Sequence, residues 1–233
     1  MIEHLVPAAV RSHVAYGDEL DNAPLYPEET EAVLRAVPKR RAEYAAGRAC
    51  ARAALAALGH PPGPIPRGSD AGAPVWPAGV VGSITHTDGY RAAVVARSAD
   101  ILTLGIDAEP HAPLPDNVIE IILATPEEEA ALTGLTRLHP GIHWDRLLFS
   151  AKETVYKAWY PFHHRMLAFK EAELLFTRGP QAPGDTAPAH GTYTARLLIP
   201  GPLLTAETGP EVFTGRWIVR DGYLATAIVV PNE

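Results

Sequence analysis

Two carboxylates, Asp107 and Glu109, stand one alanine apart in LTLGIDAEPHAPLP (102–115). The residues before them read as a strand, where side chains at i and i+2 point the same way. Two like charges on one face repel unless a cation lies between them or one is protonated. Pro110 ends the strand, so the pair stands at its mouth. Gly105 upstream leaves room for another backbone or a ligand. Hard oxygen donors in that place suit Mg²⁺, which takes one or two carboxylates plus waters and phosphate oxygens. Two solvated charges at a strand end satisfy the same spacing.

Three other stretches carry chemistry-bearing side chains. In FSAKETVYKAW (149–159), Glu153 and Lys157 are i and i+4 on a helix and share a face. They read either as a surface ion pair or, in these apolar surroundings, as a base beside a phosphate clamp. In GSITH (82–86), Ser83 and His86 close a strand and can both donate to phosphate oxygens. No G-x-S-x-G elbow accompanies them, so a serine hydrolase is not indicated. Along KRRAEYAAGRACAR (39–52), Arg41, Arg48 and Arg52 fall in one sector at 100° per residue, with Arg40 to one side. That is a solvated arginine face or a phosphate site, to which Arg67 in the following loop would add. All four stretches suit a phosphate-rich substrate, yet neither a P-loop nor a G-x-G-x-x-G is present.

The elements that must position these residues follow from pattern and composition. The 233 residues are 47% hydrophobic and 20% charged, with a net charge of −7. One globular unit or two closely packed halves fit, and a global basic field for nucleic acid is excluded. The one cysteine, Cys50, reads as a small core residue in a reducing cytoplasm. No signal peptide is expected from the opening residues, and no apolar run approaches a membrane span. A helix is expected over 28–58, then strands over 79–86, 90–96 and 101–107. Beyond a proline-rich linker come two helices within 116–135 and a strong one over 143–160. Strands return at 172–177, 192–199, 215–220 and 223–230. RGPQAPGDTAPAHG (178–191) reads as a mobile surface loop. DGYRAAVV (88–95) and DGYLATAI (221–228) echo one another 133 residues apart, which suggests two similar α+β halves with a ligand cleft between them.

Taken together, the motifs resemble the 4′-phosphopantetheinyl transferases of the two-half type that serves siderophore, polyketide and nonribosomal peptide pathways. GIDAEP (105–110) is similar to that family's Gly-Ile/Val-Asp-x-Glu motif, FSAKETVYKAW to its Phe/Trp-x-x-Lys-Glu-x-x-x-Lys motif, and GSITH to its Ser-x-x-His segment. KRRAEY, HWDRLLFSAKE and YKAWYP resemble the actinobacterial branch. The resemblance implies an α+β fold, a pseudo-dimer of two similar halves (1–110 and 111–233) with the active site between them.

It also implies roles. Asp107, Glu109 and Glu153 would hold Mg²⁺, or Mn²⁺ in its place, against the pyrophosphate of coenzyme A. Glu153 or a metal-bound water would take the proton from the acceptor serine of an apo acyl or peptidyl carrier protein. Lys157 would contact the phosphate under attack as adenosine 3′,5′-bisphosphate leaves, with Lys152 assisting although helical geometry points it elsewhere. Ser83 and His86 would hold the substrate's phosphates, and Arg40, Arg48 and Arg67 its 3′-phosphate end; Arg67 stands where the family often has lysine. Carrier docking would use VIEIIL (118–123) and Leu167-Ala168-Phe169, whose alternative is plain core. A monomer in the cytoplasm is expected. The competing readings are a CoA-binding protein without catalysis and a Mg²⁺-dependent hydrolase of the CoA pyrophosphate.

Overall fold

The computed structural model describes residues 1–68, 72–180, 187–205 and 209–232. The alanine- and arginine-rich run forms α2 (Pro38–Ala57), with proline at N1, where a missing N–H costs nothing. It does not extend back to residue 28. Val37, just before Pro38, is extended at φ −65° and ψ 156°, because the proline ring crowds the preceding residue out of the helical region. A separate short α1 (Pro27–Thr30) and a 3₁₀ turn (Glu31–Val33) precede it. The other helices are α3 (Val118–Ile122), α4 (Pro126–Leu138) and α5 (Trp144–His163).

The strands make two antiparallel sheets. β1 (Arg11–Tyr16), β2 (Val80–Thr87) and β3 (Tyr90–Arg97) form one in the order β1-β3-β2. β4 (Ile101–Pro110), β5 (Ala172–Arg178), β6 (Ala189–Leu197), β7 (Phe213–Arg220) and β8 (Tyr223–Pro231) form the other, in the order β4-β8-β7-β6-β5. β1 lies outside the expected elements. It is an edge strand on which only Ala15 is buried, so it carries little hydrophobic alternation. β6 starts at Ala189, inside the segment expected to be loop; residues 181–186 of that segment lie outside the described residues. β4, counted by sequence with the first half, is by hydrogen bonding an edge strand of the second sheet, paired with β8.

Alternation along the strands sets the layers. Ala93 and Val95 of β3 pack with Cys50, Ala51 and Ala54 of α2. The opposite face of β3 (Ala92, Val94, Ala96) meets Leu104, Ile106 and Ala108 of β4 and Ala225 and Ala227 of β8. The other face of the second sheet, including Leu224, Ile228 and Trp217, buries Leu148, Val155 and Trp159 of α5. The order of layers is helix, sheet, sheet, helix, and alanine at most of the central contacts lets the two sheets approach closely. Each half therefore joins a twenty-residue helix to an antiparallel sheet. The two echoed turns, at Gly89 (φ 72°) and Gly222 (φ 80°), are both hairpin tips. Their tyrosines meet: the rings of Tyr90 and Tyr223 lie 5.5 Å apart, as equivalent residues do near the axis of a two-fold contact. Cys50 is buried and free, its thiol pushed up to about 11 by desolvation. Among the described residues no helix is long and apolar enough to cross a membrane.

Candidate active site

The site forms where α5 crosses the odd-numbered face of β4. A Cβ on Gly105 would stand 2.4 Å from the Thr154 carbonyl oxygen and 2.9 Å from the Ala158 nitrogen. Glycine is thus required, and what approaches it is backbone. Thr103 Oγ1 donates to the Ala158 carbonyl at 2.7 Å, and Lys157 Nζ to that of Ile106 at 3.1 Å. On its other edge, β4 is joined to β2 by side chains in place of a backbone ladder. Ile106 N–H donates to Ser83 Oγ at 3.1 Å, and Ala108 N–H to Thr85 Oγ1 at 3.0 Å. Both hydroxyl residues are buried. Ser83 therefore fixes the strand that carries the carboxylates, and its oxygen is engaged with protein.

Asp107 is buried at 5% exposure. Its Oδ1 accepts from Lys157 Nζ at 2.7 Å and from Thr85 Oγ1 at 3.2 Å. Its Oδ2 is buried with no hydrogen-bond partner among the described residues. A buried carboxylate oxygen left unpaired is costly, and a hard cation would satisfy it. Glu109 stands two residues on, its Oε2 held by Arg146 Nη1 at 3.1 Å. Desolvation, then repulsion from Asp107, pushes its carboxyl up to about 7. Burial also raises Glu153, which feels Asp107 as a like charge and Lys157 as an opposing one. Among the described residues no three His, Cys, Asp or Glu side chains are gathered closely enough to hold a metal as they stand. Mg²⁺ needs fewer: one or two carboxylates, completed by water and phosphate. The oxygen donors present fit it on that count.

His86, at the end of β2, faces the start of α2. Arg40 Nη1 lies 2.6 Å from its Nε2, and Glu43 Oε2 is 3.6 Å from both Arg40 Nη1 and His86 Nδ1. Burial, reinforced by Arg40, lowers the His86 pKa, so the neutral ring accepts from the guanidinium. Glu43 and Thr85 went unselected in the sequence. Thr85 lies within GSITH, and Glu43 sits three residues from Arg40, a spacing that marks a shared helix face.

The arginine stripe is not a free phosphate face. Arg41 donates to the carbonyls of Leu34 and Ala36, Arg52 to the Glu29 carboxylate and the Pro24 carbonyl, and the buried Arg48 to the Ile65 carbonyl at 2.7 Å. Arg48 also lies over the Tyr44 ring. These side chains satisfy carbonyls of segments folded around α2, which spacing within one helix does not reveal. Arg67 sits in a separate loop, bridged to Pro74, with its guanidinium over Gly72. Lys152 is turned wholly away from the site. Its Nζ contacts Glu128 Oε2 (3.0 Å) and the carbonyls of Ile122 (2.6 Å), Phe169 (2.9 Å) and Ala172 (2.8 Å). Four acceptors saturate an ammonium with three protons, so assistance at the phosphate from Lys152 is overturned. His163 stacks on Trp159 and contacts the Leu203 carbonyl, a structural role.

The charges of Arg40 and His86 in the first half and of Asp107, Glu109, Glu153 and Lys157 on β4 and α5 thus form one electrostatically connected group. The fold and its relatives are those of a transferase built from two α+β halves. The chain belongs to the 4′-phosphopantetheinyl transferase superfamily: residues 28–96 match the model of that enzyme's N-terminal domain and residues 103–196 the model of the superfamily. It is 50% identical to the 4′-phosphopantetheinyl transferase Svp of Streptomyces mobaraensis, over 99% of this chain and 89% of that one. It is 44% identical to Npt of Nocardia iowensis, over 98% and 99% of the two chains. Identity to PptT of Mycobacterium tuberculosis is 42%, over 99% and 98%.

Proposed function

We propose that the enzyme transfers 4′-phosphopantetheine from coenzyme A to a serine hydroxyl of an apo acyl or peptidyl carrier protein, with Mg²⁺, and releases adenosine 3′,5′-bisphosphate. The observation that carries this reading is the half-satisfied Asp107. One oxygen is bound to a lysine, and the other is buried without a hydrogen-bond partner among the described residues, within electrostatic reach of two further carboxylates whose charged forms burial disfavours.

Asp107, Glu109 and Glu153 would hold Mg²⁺, which supplies positive charge to the diphosphate when bound. Lys157 is half-buried on the same face and would share its ammonium between Asp107 and the phosphate under attack. The serine oxygen attacks the phosphorus that bears pantetheine, and the bond to the adenosine-side phosphate breaks. Glu153, one helical turn from Lys157 on α5, would accept the serine proton. Positioning and charge then do most of the catalysis. Arg40 and His86 would grip the nucleotide's phosphates from the first half. Arg48 and Arg67 are carried to the 3′-phosphate end by family resemblance alone, since neither is tied to Arg40 or His86 among the described residues.

The carrier would dock beside α3, where Ile121 is 61% exposed and Met166 nearby in sequence to the 167–169 segment is 68% exposed. The test is mass spectrometry of apo-carriers from fatty acid, polyketide and peptide systems, incubated with CoA and Mg²⁺. Conversion of a carrier to the phosphopantetheinylated form is expected. Cleavage of CoA at an equal rate without any carrier would overturn the transferase reading in favour of a hydrolase.

A further inference from the structure

Arg146 has no part in the reading above, yet its guanidinium is engaged on three sides. Nη1 donates to Glu109 Oε2 at 3.1 Å, Nε to the Ala112 carbonyl at 3.2 Å and Nη2 to the Pro113 carbonyl at 2.8 Å. Its neighbours on α5 hold the same segment. Asp145 Oδ2 accepts from Leu114 N–H at 2.8 Å, and His143 N–H donates to His111 Nε2 at 3.2 Å. The first turn of α5 therefore grips residues 109 to 114 as the chain leaves β4.

We propose that Arg146 is a positioning residue that fixes the Glu109 carboxylate for the divalent cation. The inference rests on the metal reading of Asp107, Glu109 and Glu153. Glu109 stands near the end of β4, opposite Leu224 of β8, which offers its carboxylate no polar partner. Its one hydrogen bond among the described residues is the one to Arg146, and it occupies Oε2. A planar guanidinium holds the carboxylate and two carbonyls through donors in a fixed fork, an orientation that the rotatable point charge of a lysine does not impose. Partners that orient a metal ligand in this way typically contribute about 10–100-fold in metal affinity.

The test is Mn²⁺ binding to the full-length protein in the presence of CoA, followed by electron paramagnetic resonance, with thermal unfolding of each variant and CoA affinity measured without metal. Arg146→Ala is expected to weaken Mn²⁺ by about 10–100-fold while metal-free CoA affinity holds. Arg146→Lys keeps the charge without the fork and is expected to recover only part of the loss. Wild-type Mn²⁺ affinity in either variant would overturn the inference. Asp107→Asn separates the two levels of the argument. If it abolishes Mn²⁺ binding while Arg146→Ala binds Mn²⁺ as tightly as the wild type, the positioning role alone fails. If Asp107→Asn binds Mn²⁺ as the wild type does, the metal site itself fails, and the role of Arg146 with it.

Discussion

Lys157 Nζ lies 2.7 Å from Asp107 Oδ1, a helix residue of α5 paired with a strand residue fifty positions earlier. The pair uses one carboxylate oxygen and leaves the other buried and unpartnered. Removing either member should therefore have different consequences. Asp107→Ala is expected to abolish conversion of apo-carrier to its holo form at saturating Mg²⁺ and CoA. Lys157→Ala should lower kcat by orders of magnitude with a smaller effect on the KM for CoA, since its charge matters most as the leaving group departs. Steady-state kinetics with a mass readout checks both, and wild-type-like turnover in Asp107→Ala would sink the metal assignment.

Glu109 predicts a pH dependence of stability. Its folded pKa is raised to about 7 from an ordinary 4.5. Between those values the metal-free folded state keeps a proton that the unfolded state has lost. Stability from this group is therefore present below pH 4.5 and lost as pH rises through 7. Burial of Glu153 acts in the same direction. Thermal melts of metal-free protein across this range should show the wild type losing ground to Glu109→Gln as pH rises. Adding Mg²⁺ and CoA should reverse that loss. Parallel curves for the two proteins would refute the shift.

Lys152 and Glu128 form a buried ion pair, each about 1% exposed at the side chain. Glu128 also accepts from the backbone N–H groups of Ala124 and Leu174. The pair ties α3, α4 and β5 to α5. Lys152→Met should cost about 3–5 kcal/mol, since it strands a buried carboxylate. Denaturant unfolding measures this. Unchanged stability together with a raised KM for CoA would instead put Lys152 at the substrate.

Adjacent isoleucines in α3 differ sharply in burial. Ile122 is fully buried, whereas Ile121 is 61% exposed. Ile122→Asp is expected to collapse thermal stability. Ile121→Asp should leave the melting temperature near that of the wild type and raise the KM for the carrier more than that for CoA. Equal changes in both KM values for Ile121→Asp would remove α3 from the docking surface.

Much of this was legible from local pattern. The strands β2, β3, β4, β5, β7 and β8 follow from short apolar runs between turn residues. The i, i+2 spacing of Asp107 and Glu109, and the i, i+4 spacing of Glu153 and Lys157, each specify a shared face without reference to the rest of the chain. Gly105 signalled a close approach, although not that the α5 backbone made it. The arginines misled because a guanidinium chooses its partner by distance through space. Arg48 lies 17 residues from Ile65, and Arg52 lies 23 from Glu29.

By itself, then, the sequence determined which residue types share each face, and that two carboxylates stand on one strand and a carboxylate and a lysine on one helix. The cause of the break before Pro38 is local as well, a proline's steric demand, yet the helix expected over 28–58 ran across it. Tertiary structure alone decided which charges meet. It placed Lys157 on Asp107, Arg146 on Glu109 and Arg40 on His86, and it withdrew Lys152 into the core. The reason is physical: periodicity fixes direction relative to an element's own axis, whereas pairing depends on which element crosses it. Here that crossing was set by small residues in the layers, the alanines between the sheets and the missing Cβ at Gly105.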